Sequence, residues 1–63
     1  MILLYIYSNN SKILLQPKYI TYVEQEKDHT YIHYTPPGYH RELEVKETIE
    51  EIQELINKSY ILF

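Results

Sequence analysis

The chain contains no cysteine and only one glycine in 63 residues. Without cysteine it forms neither disulfides nor cysteine-ligated zinc sites, which are usual supports of very small domains. One glycine, Gly38, cannot build the glycine-rich loop that holds a phosphate group. A domain of roughly 60 residues buries only about 60% of its unfolded surface. We therefore expect residues 1–63 to form a single domain that is stabilised by self-association.

Positive charge and long apolar runs are also scarce. Six lysines and arginines stand against nine acidic residues, which gives a formal charge of −3. This balance argues against duplex DNA as a partner, because such binding depends on many contacts between cations and phosphates. The apolar opening MILLYIY is much shorter than the roughly 20 residues of a membrane span, and it lacks the flanking features of a signal peptide. We expect a cytoplasmic protein that does not enter a membrane.

Tyrosine is the residue that this chain has in excess, with eight copies. A tyrosine ring buries its flat faces well, whereas its hydroxyl group needs water or a hydrogen-bond partner. Several of these rings are therefore expected to line an exposed surface, a groove or a contact between subunits.

The first 45 positions predict five strands, because β-branched and aromatic residues alternate with turn signals. The predicted strands cover residues 2–7, 12–16, 19–24, 30–34 and 39–45, and the predicted turns cover residues 8–11, 25–29 and 36–38. Both alternate sets of side chains in the first strand are apolar, which predicts cover on both faces. A partner subunit is the simplest source of the second cover.

After Thr48 the apolar residues no longer alternate as in a strand but recur every three to four positions. Thr48 and Glu51 have the form of a capping box, and an apolar stripe follows at helical spacing. We predict a helix from about residue 49 to residue 58 that stops at Asn57 or Ser59. The apolar tail, residues 60–63, is expected to pack on the sheet or to reach a neighbouring subunit.

The predicted fold is α+β, with a small antiparallel sheet of four to five strands followed by one C-terminal helix, in an oligomer. The order of elements is β-β-β-β-β-α. The residues that we expect the helix to cover are Ile2, Leu4, Ile6, Val23, Ile32, Leu43 and Val45.

Short motifs near both ends of the chain form a familiar combination. They are Met1-Ile2, Asn9-Asn10, Leu15-x-Pro17-x-Tyr19-Ile20, Val23-Glu24 and the segment 45–52 that leads into Glu54-Leu55-Ile56. Together they resemble the small FlbD/SwrD family of flagellar accessory proteins over about residues 1–57. The resemblance implies an accessory or regulatory role that is exerted through contacts, and it supplies no catalytic residues.

The candidate binding residues lie on the predicted strands and hairpins. They are Tyr5, Tyr7, Tyr31, His33, Tyr39 and Arg41. Aromatic rings are enriched in protein interfaces, which favours a non-enzymatic, oligomeric binding or regulatory module acting on a protein partner. Rings beside a cation also suit a nucleobase and its phosphate. The alternative is therefore an oligomeric binder of nucleotides or single-stranded nucleic acid, such as a viral protein that captures nucleotide signals.

Histidine offers the remaining chemistry. If the last two predicted strands pair, His33 and His40 can be cross-strand neighbours that form a metal pair or a proton-transfer pair, although no third ligand is obvious beyond Glu42 or Asp28. The simpler interpretation is two exposed histidines, and we expect no metal or cofactor. The helix glutamates fit a solvated face, and no serine lies in a motif that activates a nucleophile. The chain is therefore not expected to be an enzyme.

Overall fold

The computed structural model describes the backbone of residues 1–61 and the side chains of residues 1–59. It contains five antiparallel strands followed by one helix, so that the predicted α+β class and order of elements are confirmed. A single turn of 3-10 helix, Pro17–Tyr19, precedes the third strand. The elements are β1 (Ile2–Tyr5), β2 (Lys12–Leu15), β3 (Ile20–Glu26), β4 (His29–Tyr34), β5 (Arg41–Val45) and α1 (Ile49–Ile61).

The strands form two sheets, where the sequence predicted one. The β1–β2 hairpin is one sheet, and β3, β4 and β5 form the other in that order. The two meet just beyond β1, where Ile6 pairs with Val45 in an isolated bridge. There the Tyr7 N–H donates to the Glu44 carbonyl over 3.0 Å, and the Lys46 N–H donates to the Tyr5 carbonyl over 2.9 Å. Because β1 reaches β5 only at its last residues, no continuous ladder joins the sheets.

Two hairpin tips set the register of the strands. In the β1–β2 tip Asn10 adopts a φ of 63°, a conformation that asparagine tolerates well. The β3–β4 tip contains only Lys27 and Asp28, with Lys27 at a φ of 56°. The predicted turn at residues 25–29 was therefore too long. Its outer residues continue the ladder, because Gln25 pairs with Thr30 and residue 26 pairs with residue 29.

The last strand is shorter than predicted, since β5 begins at Arg41 and not at Tyr39. The Tyr39 N–H donates to the Pro36 carbonyl over 3.3 Å and is used within the turn. Gly38 in this turn has a φ of 96°, which is where a glycine was expected. The proline pair and this bent backbone keep Tyr39 out of the ladder.

The core lies between the helix and one face of the two sheets. Its buried residues are Ile2, Leu4, Leu15, Ile32, Tyr34, Leu43, Val45 and Ile52. Of the residues predicted under the helix, Ile6 and Val23 are partly buried and the others are buried. The second face of β1 is left largely open by the described residues, because Leu3 is 41% exposed and its cross-strand partner Leu14 is 59% exposed.

The helix begins with the predicted capping box. The Thr48 hydroxyl accepts from the Glu51 N–H over 3.1 Å, and the Thr48 N–H donates to the Glu51 carboxylate over 2.9 Å. The predicted end was too early, since the helix continues to Ile61. Ser59 lies within the helix, and its hydroxyl donates back to the Ile56 carbonyl over 2.8 Å. The predicted packing of the tail, residues 60–63, lies outside the described side chains. No helix within residues 1–61 is long and apolar enough to cross a bilayer.

Candidate functional site

The face of the three-stranded sheet that points away from the core carries most of the polar aromatic residues. Strand alternation sends Thr30, Ile32 and Tyr34 of β4 toward the core, so that the neighbouring side chains point outward. Cross-strand pairing adds the outward residues of β3 and β5. We call this surface the His–Tyr face. Its strand residues are Tyr22, Glu24, Glu26, His29, Tyr31, His33, Glu42 and Glu44.

His33 is the most buried side chain on this face, with 7% exposure. Its ring stacks on Tyr22 with centroids 3.9 Å apart and planes inclined by 16°. The ring of His40, which lies just before β5, is 5.8 Å from His33 at 25°. The predicted closeness of His33 and His40 is confirmed, although the direct cross-strand partner of His33 is Glu42.

Two carboxylates hold the imidazole of His33. Its Nε2 atom lies 2.9 Å from a Glu24 oxygen and 3.3 Å from a Glu42 oxygen. A carboxylate accepts hydrogen bonds and does not donate them, so that Nε2 carries the proton in this arrangement. His33 therefore donates a hydrogen bond to Glu24 on β3 and lies close to the carboxylate of Glu42 on β5. An imidazole anchored in this way acts as a rigid part of the surface.

A second group of rings extends the face toward the β1–β2 hairpin. His29 lies 6.3 Å from Tyr31 in a stacked orientation, and Tyr7 meets His29 edge-on at 5.8 Å. The His29 Nδ1 atom is 2.5 Å from a carboxylate oxygen of Glu44. The Tyr7 backbone bond to Glu44 places its ring here. The face thus continues across the junction between the two sheets.

The electrostatic character of the His–Tyr face is negative. Three of its four glutamates contact His29 or His33, and none of the four contacts a lysine or arginine among the described side chains. Partial burial raises the pKa of the Tyr31 phenol, and the carboxylates of Glu44, Glu26 and Glu42 raise this pKa further. The ion pairs and the raised pKa together indicate that Tyr31 lies near negatively charged carboxylates that no described lysine or arginine neutralises.

The structure brings three of the six predicted site residues together, namely Tyr7, Tyr31 and His33. Tyr5 lies on the adjoining hairpin opposite Lys12, and its N–H donates to the Glu47 carboxylate over 3.1 and 3.2 Å. Tyr39 is exposed in the turn before β5.

Arg41 lies on the other side of the sheet. It pairs with Tyr34, whose side chain belongs to the core. Its neighbour Glu42 faces His33 instead. The cation that the sequence placed beside the rings is therefore not on the His–Tyr face.

Sequence reasoning missed the contribution of β3 to this face. Tyr22 and Glu24 contact His33, and Glu26 stands opposite His29. Had the sequence analysis predicted the two-residue turn at Lys27 and Asp28, these pairs would have followed, because such a turn fixes residue 26 opposite residue 29. The available signal was that residues 22, 24 and 26 are polar or aromatic at every second position, as on one face of a strand. The predicted turn at residues 25–29 ended that strand too early to include residue 26.

The described residues contain no group of three or more His, Asp or Glu side chains arranged to hold a metal ion. Open grooves formed by described residues lie along the helix, away from the His–Tyr face. One of about 280 Å³ is lined by Glu47, Glu51, Glu54, Leu55 and Lys58. Another, of about 300 Å³, lies between the helix and β3 and is lined by Val23, Ile49, Ile52, Gln53, Ile56 and Asn57. Both are open depressions, and neither brings together the rings described above.

Comparison with known proteins gives no match to any family model, any curated protein or any solved structure. The resemblance to the FlbD/SwrD family therefore stays a prediction. The geometry of the His–Tyr face is the basis for the functional argument.

Proposed function

We propose that this chain is a small, non-enzymatic binding module whose His–Tyr face docks onto a positively charged segment of a protein partner. The observation that supports this proposal most directly is the set of four glutamates around exposed and partly exposed rings. None of them has a lysine or arginine counter-ion among the described side chains. Complementary charge on a partner steers association and favours the correct orientation.

The rings give this surface its contact area. Tyr7 and Tyr22 are each 50% exposed and offer apolar ring faces beside polar hydroxyls. Tyrosine is enriched in protein interfaces for this reason. His33 and its two carboxylates hold the neighbouring strands in one arrangement, so that little order is lost on binding. A regulatory module that acts through contacts is also the role implied by the resemblance to FlbD/SwrD.

The same charges disfavour the alternative function, a nucleotide or single-stranded nucleic-acid binder. The stack of Tyr22 on His33 would suit a base, but a phosphate beside it would meet Glu24 and Glu42. Arg41, the cation expected to bind that phosphate, lies on the opposite side of the sheet. Binding of single strands combines stacking with a positively charged groove, and this face provides only the stacking.

The test uses the full chain, isotope-labelled for NMR, and a hexalysine peptide as the probe of a basic segment. We expect hexalysine to shift the amide signals of β3, β4 and β5 more strongly at low than at physiological ionic strength. The variant Glu24→Gln/Glu26→Gln/Glu44→Gln should lose this response. The variant Glu50→Gln/Glu51→Gln/Glu54→Gln removes as many charges from the helix and should keep it.

Mononucleotides and cyclic dinucleotides are titrated in parallel. Shifts around Tyr22 and His33 with a nucleotide, and none with hexalysine, would favour the alternative. Absence of any response to hexalysine at millimolar concentration would overturn the proposal.

We also propose that two copies associate through the outer surface of the β1–β2 hairpin. Leu3 and Leu14 face each other there, and Met1 next to them is 65% exposed. A two-fold contact places one patch against the same patch of the second copy. An apolar patch is complementary to itself in this way, whereas the acidic His–Tyr face would repel itself. The two surfaces therefore have different partners.

A further inference from the structure

Tyr31 occupies the centre of the His–Tyr face on the middle strand of the sheet. Its direct cross-strand neighbours are Glu24 on β3 and Glu44 on β5. Glu26 and Glu42 stand at the diagonal positions. Direct neighbours in a sheet are about 5 Å apart and diagonal neighbours about 7–8 Å apart, within reach of long side chains. One partly buried ring thus has four glutamates at neighbouring positions, and the charges of Glu44, Glu26 and Glu42 act on its phenol.

A flat aromatic ring with carboxylates at its edges is complementary to a planar cation. An arginine guanidinium stacks on a ring face and donates through five N–H groups in a fixed plane, whereas a lysine ammonium is a compact point charge with three donors. We infer that an arginine of the protein partner anchors on Tyr31, with its N–H groups directed to the surrounding carboxylates. This inference rests on the proposed function, because it names the anchor residue of the same basic segment.

The carboxylates have unused capacity for such a ligand. Glu44 contacts His29 through one oxygen, and Glu24 contacts His33 through one oxygen. An ionised carboxylate has about four acceptor sites, so that these contacts leave several unused. Glu26 has no ion pair among the described side chains. Partial burial raises the pKa of the Tyr31 phenol, and the negative charges of Glu44, Glu26 and Glu42 raise this pKa further.

No cation of the chain itself takes this position in the part that the structure describes. Lys46, which follows β5, forms no ion pair with the four glutamates, and Arg41 lies on the core side. The position therefore calls for a cation from another molecule. The alternative ligands, an ammonium group or a neutral polar group, are discriminated by the test below.

The test compares three capped tripeptides, Gly-Arg-Gly, Gly-Lys-Gly and Gly-citrulline-Gly, by NMR titration of the full chain. Citrulline keeps the planar shape of arginine without its charge. We expect the arginine peptide to shift the amides of Glu24, Tyr31 and Glu44 with a dissociation constant about threefold lower than that of the lysine peptide. The citrulline peptide should leave these signals unchanged.

Variants at Tyr31 separate the ring from the charge. Tyr31→Phe keeps the ring face and should keep the preference for arginine, whereas Tyr31→Leu should bind both cationic peptides equally. Circular dichroism confirms that each variant is folded, and Glu54→Gln on the helix serves as the control that changes nothing. Equal binding of arginine and lysine by the natural chain, or an unchanged preference in Tyr31→Leu, would overturn the inference.

The outcome also separates this inference from the proposed function. Binding of hexalysine to the His–Tyr face without any preference for arginine would overturn only the assignment of arginine to Tyr31. Absence of binding by hexalysine and by the arginine peptide alike would overturn both.

Discussion

The outer surface of this protein has two regions of opposite character, the hairpin and the three-stranded sheet. The hairpin exposes Leu3 and Leu14, while the sheet exposes the rings and carboxylates of the His–Tyr face. Both arise from the same alternation, in which every second residue of a strand points away from the core. The comparison teaches that the period of a strand decides only which way its side chains point. The chemistry of those side chains decides which partner they suit.

Beneath this surface the two regions share one core. Leu4 of β1 and Ile32 of β4 are both completely buried and belong to the same cluster. The backbone connection between the sheets is limited, since it consists of the bridge at Ile6 and Val45 and its neighbouring hydrogen bonds. We therefore expect side-chain packing, more than backbone pairing, to make the two regions unfold together.

The largest effect is expected from Leu4→Ala. Removal of a fully buried leucine side chain costs about 2–5 kcal/mol, and a domain of this size has a total stability of roughly 3–9 kcal/mol at 0.05–0.15 kcal/mol per residue. The variant should lose a large part of this stability, and amide exchange should accelerate in β3, β4 and β5 as well as in the hairpin. Ser8→Ala, in the exposed tip of the same hairpin and outside the apolar patch, should change stability by less than about 0.5 kcal/mol. Loss of protection confined to β1 and β2 would show that the regions unfold separately.

The second effect concerns assembly. Leu14→Lys places a charge in the apolar hairpin patch, and two copies facing each other would then bring like charges together. Sedimentation measurements at several concentrations should show association of the natural chain and at least about tenfold weaker association of the variant. Glu26→Lys changes the His–Tyr face and should leave the mass unchanged. A natural chain that is monomeric at every concentration would contradict self-association through this hairpin.

Local sequence signals predicted much of this architecture. Thr48 and Glu51 make a capping box because both groups lie within one helical turn, and no distant contact is needed. The core side of each strand follows from alternation, which correctly placed Ile32, Leu43 and Val45. Such features depend on neighbours in the chain and can therefore be read from it.

Two features could not be predicted in this way. Lysine is an uncommon residue at positive φ, so that the residue type of Lys27 did not indicate a two-residue turn, and the partners of His33 on β3 were missed. The division into two sheets depends on where Ile6 meets Val45, two residues that are far apart in the chain. Pairings of this kind are decided by the packing of the whole domain.

The β3–β4 turn and the β1–β2 turn place different residue types at positive φ. Asn10 suits a φ of 63°, whereas Lys27 is held at 56° with a steric cost of roughly 1–2 kcal/mol. Lys27→Gly removes this cost but increases the freedom of the unfolded chain, so that we expect a net gain of about 0.5–1 kcal/mol in urea unfolding. Asn10→Gly should change stability by less. An equal gain at both positions would contradict the difference between the two turns.

The smallest expected effect is a change in the pH dependence of stability, which tests whether the His–Tyr face is more negatively charged than the hairpin. The pKa of Tyr31 is raised from its ordinary value of 10.0, first by partial burial and then by Glu44, Glu26 and Glu42. A raised pKa favours the neutral phenol in the folded state. Its contribution to stability is therefore fully present below pH 10.0 and is lost as the pH rises through the folded pKa.

Tyr31→Phe should reduce this alkaline loss of stability while leaving stability at neutral pH within about 0.5 kcal/mol of the natural chain. Urea unfolding at neutral pH and at about pH 11 measures the difference. Phenolate absorbance should show that the variant has lost one tyrosine that titrates late. The control is Tyr39→Phe, in an exposed turn outside the four carboxylates. If both variants respond to alkali in the same way, the carboxylates do not act on Tyr31 and the contrast in charge between the two regions is wrong.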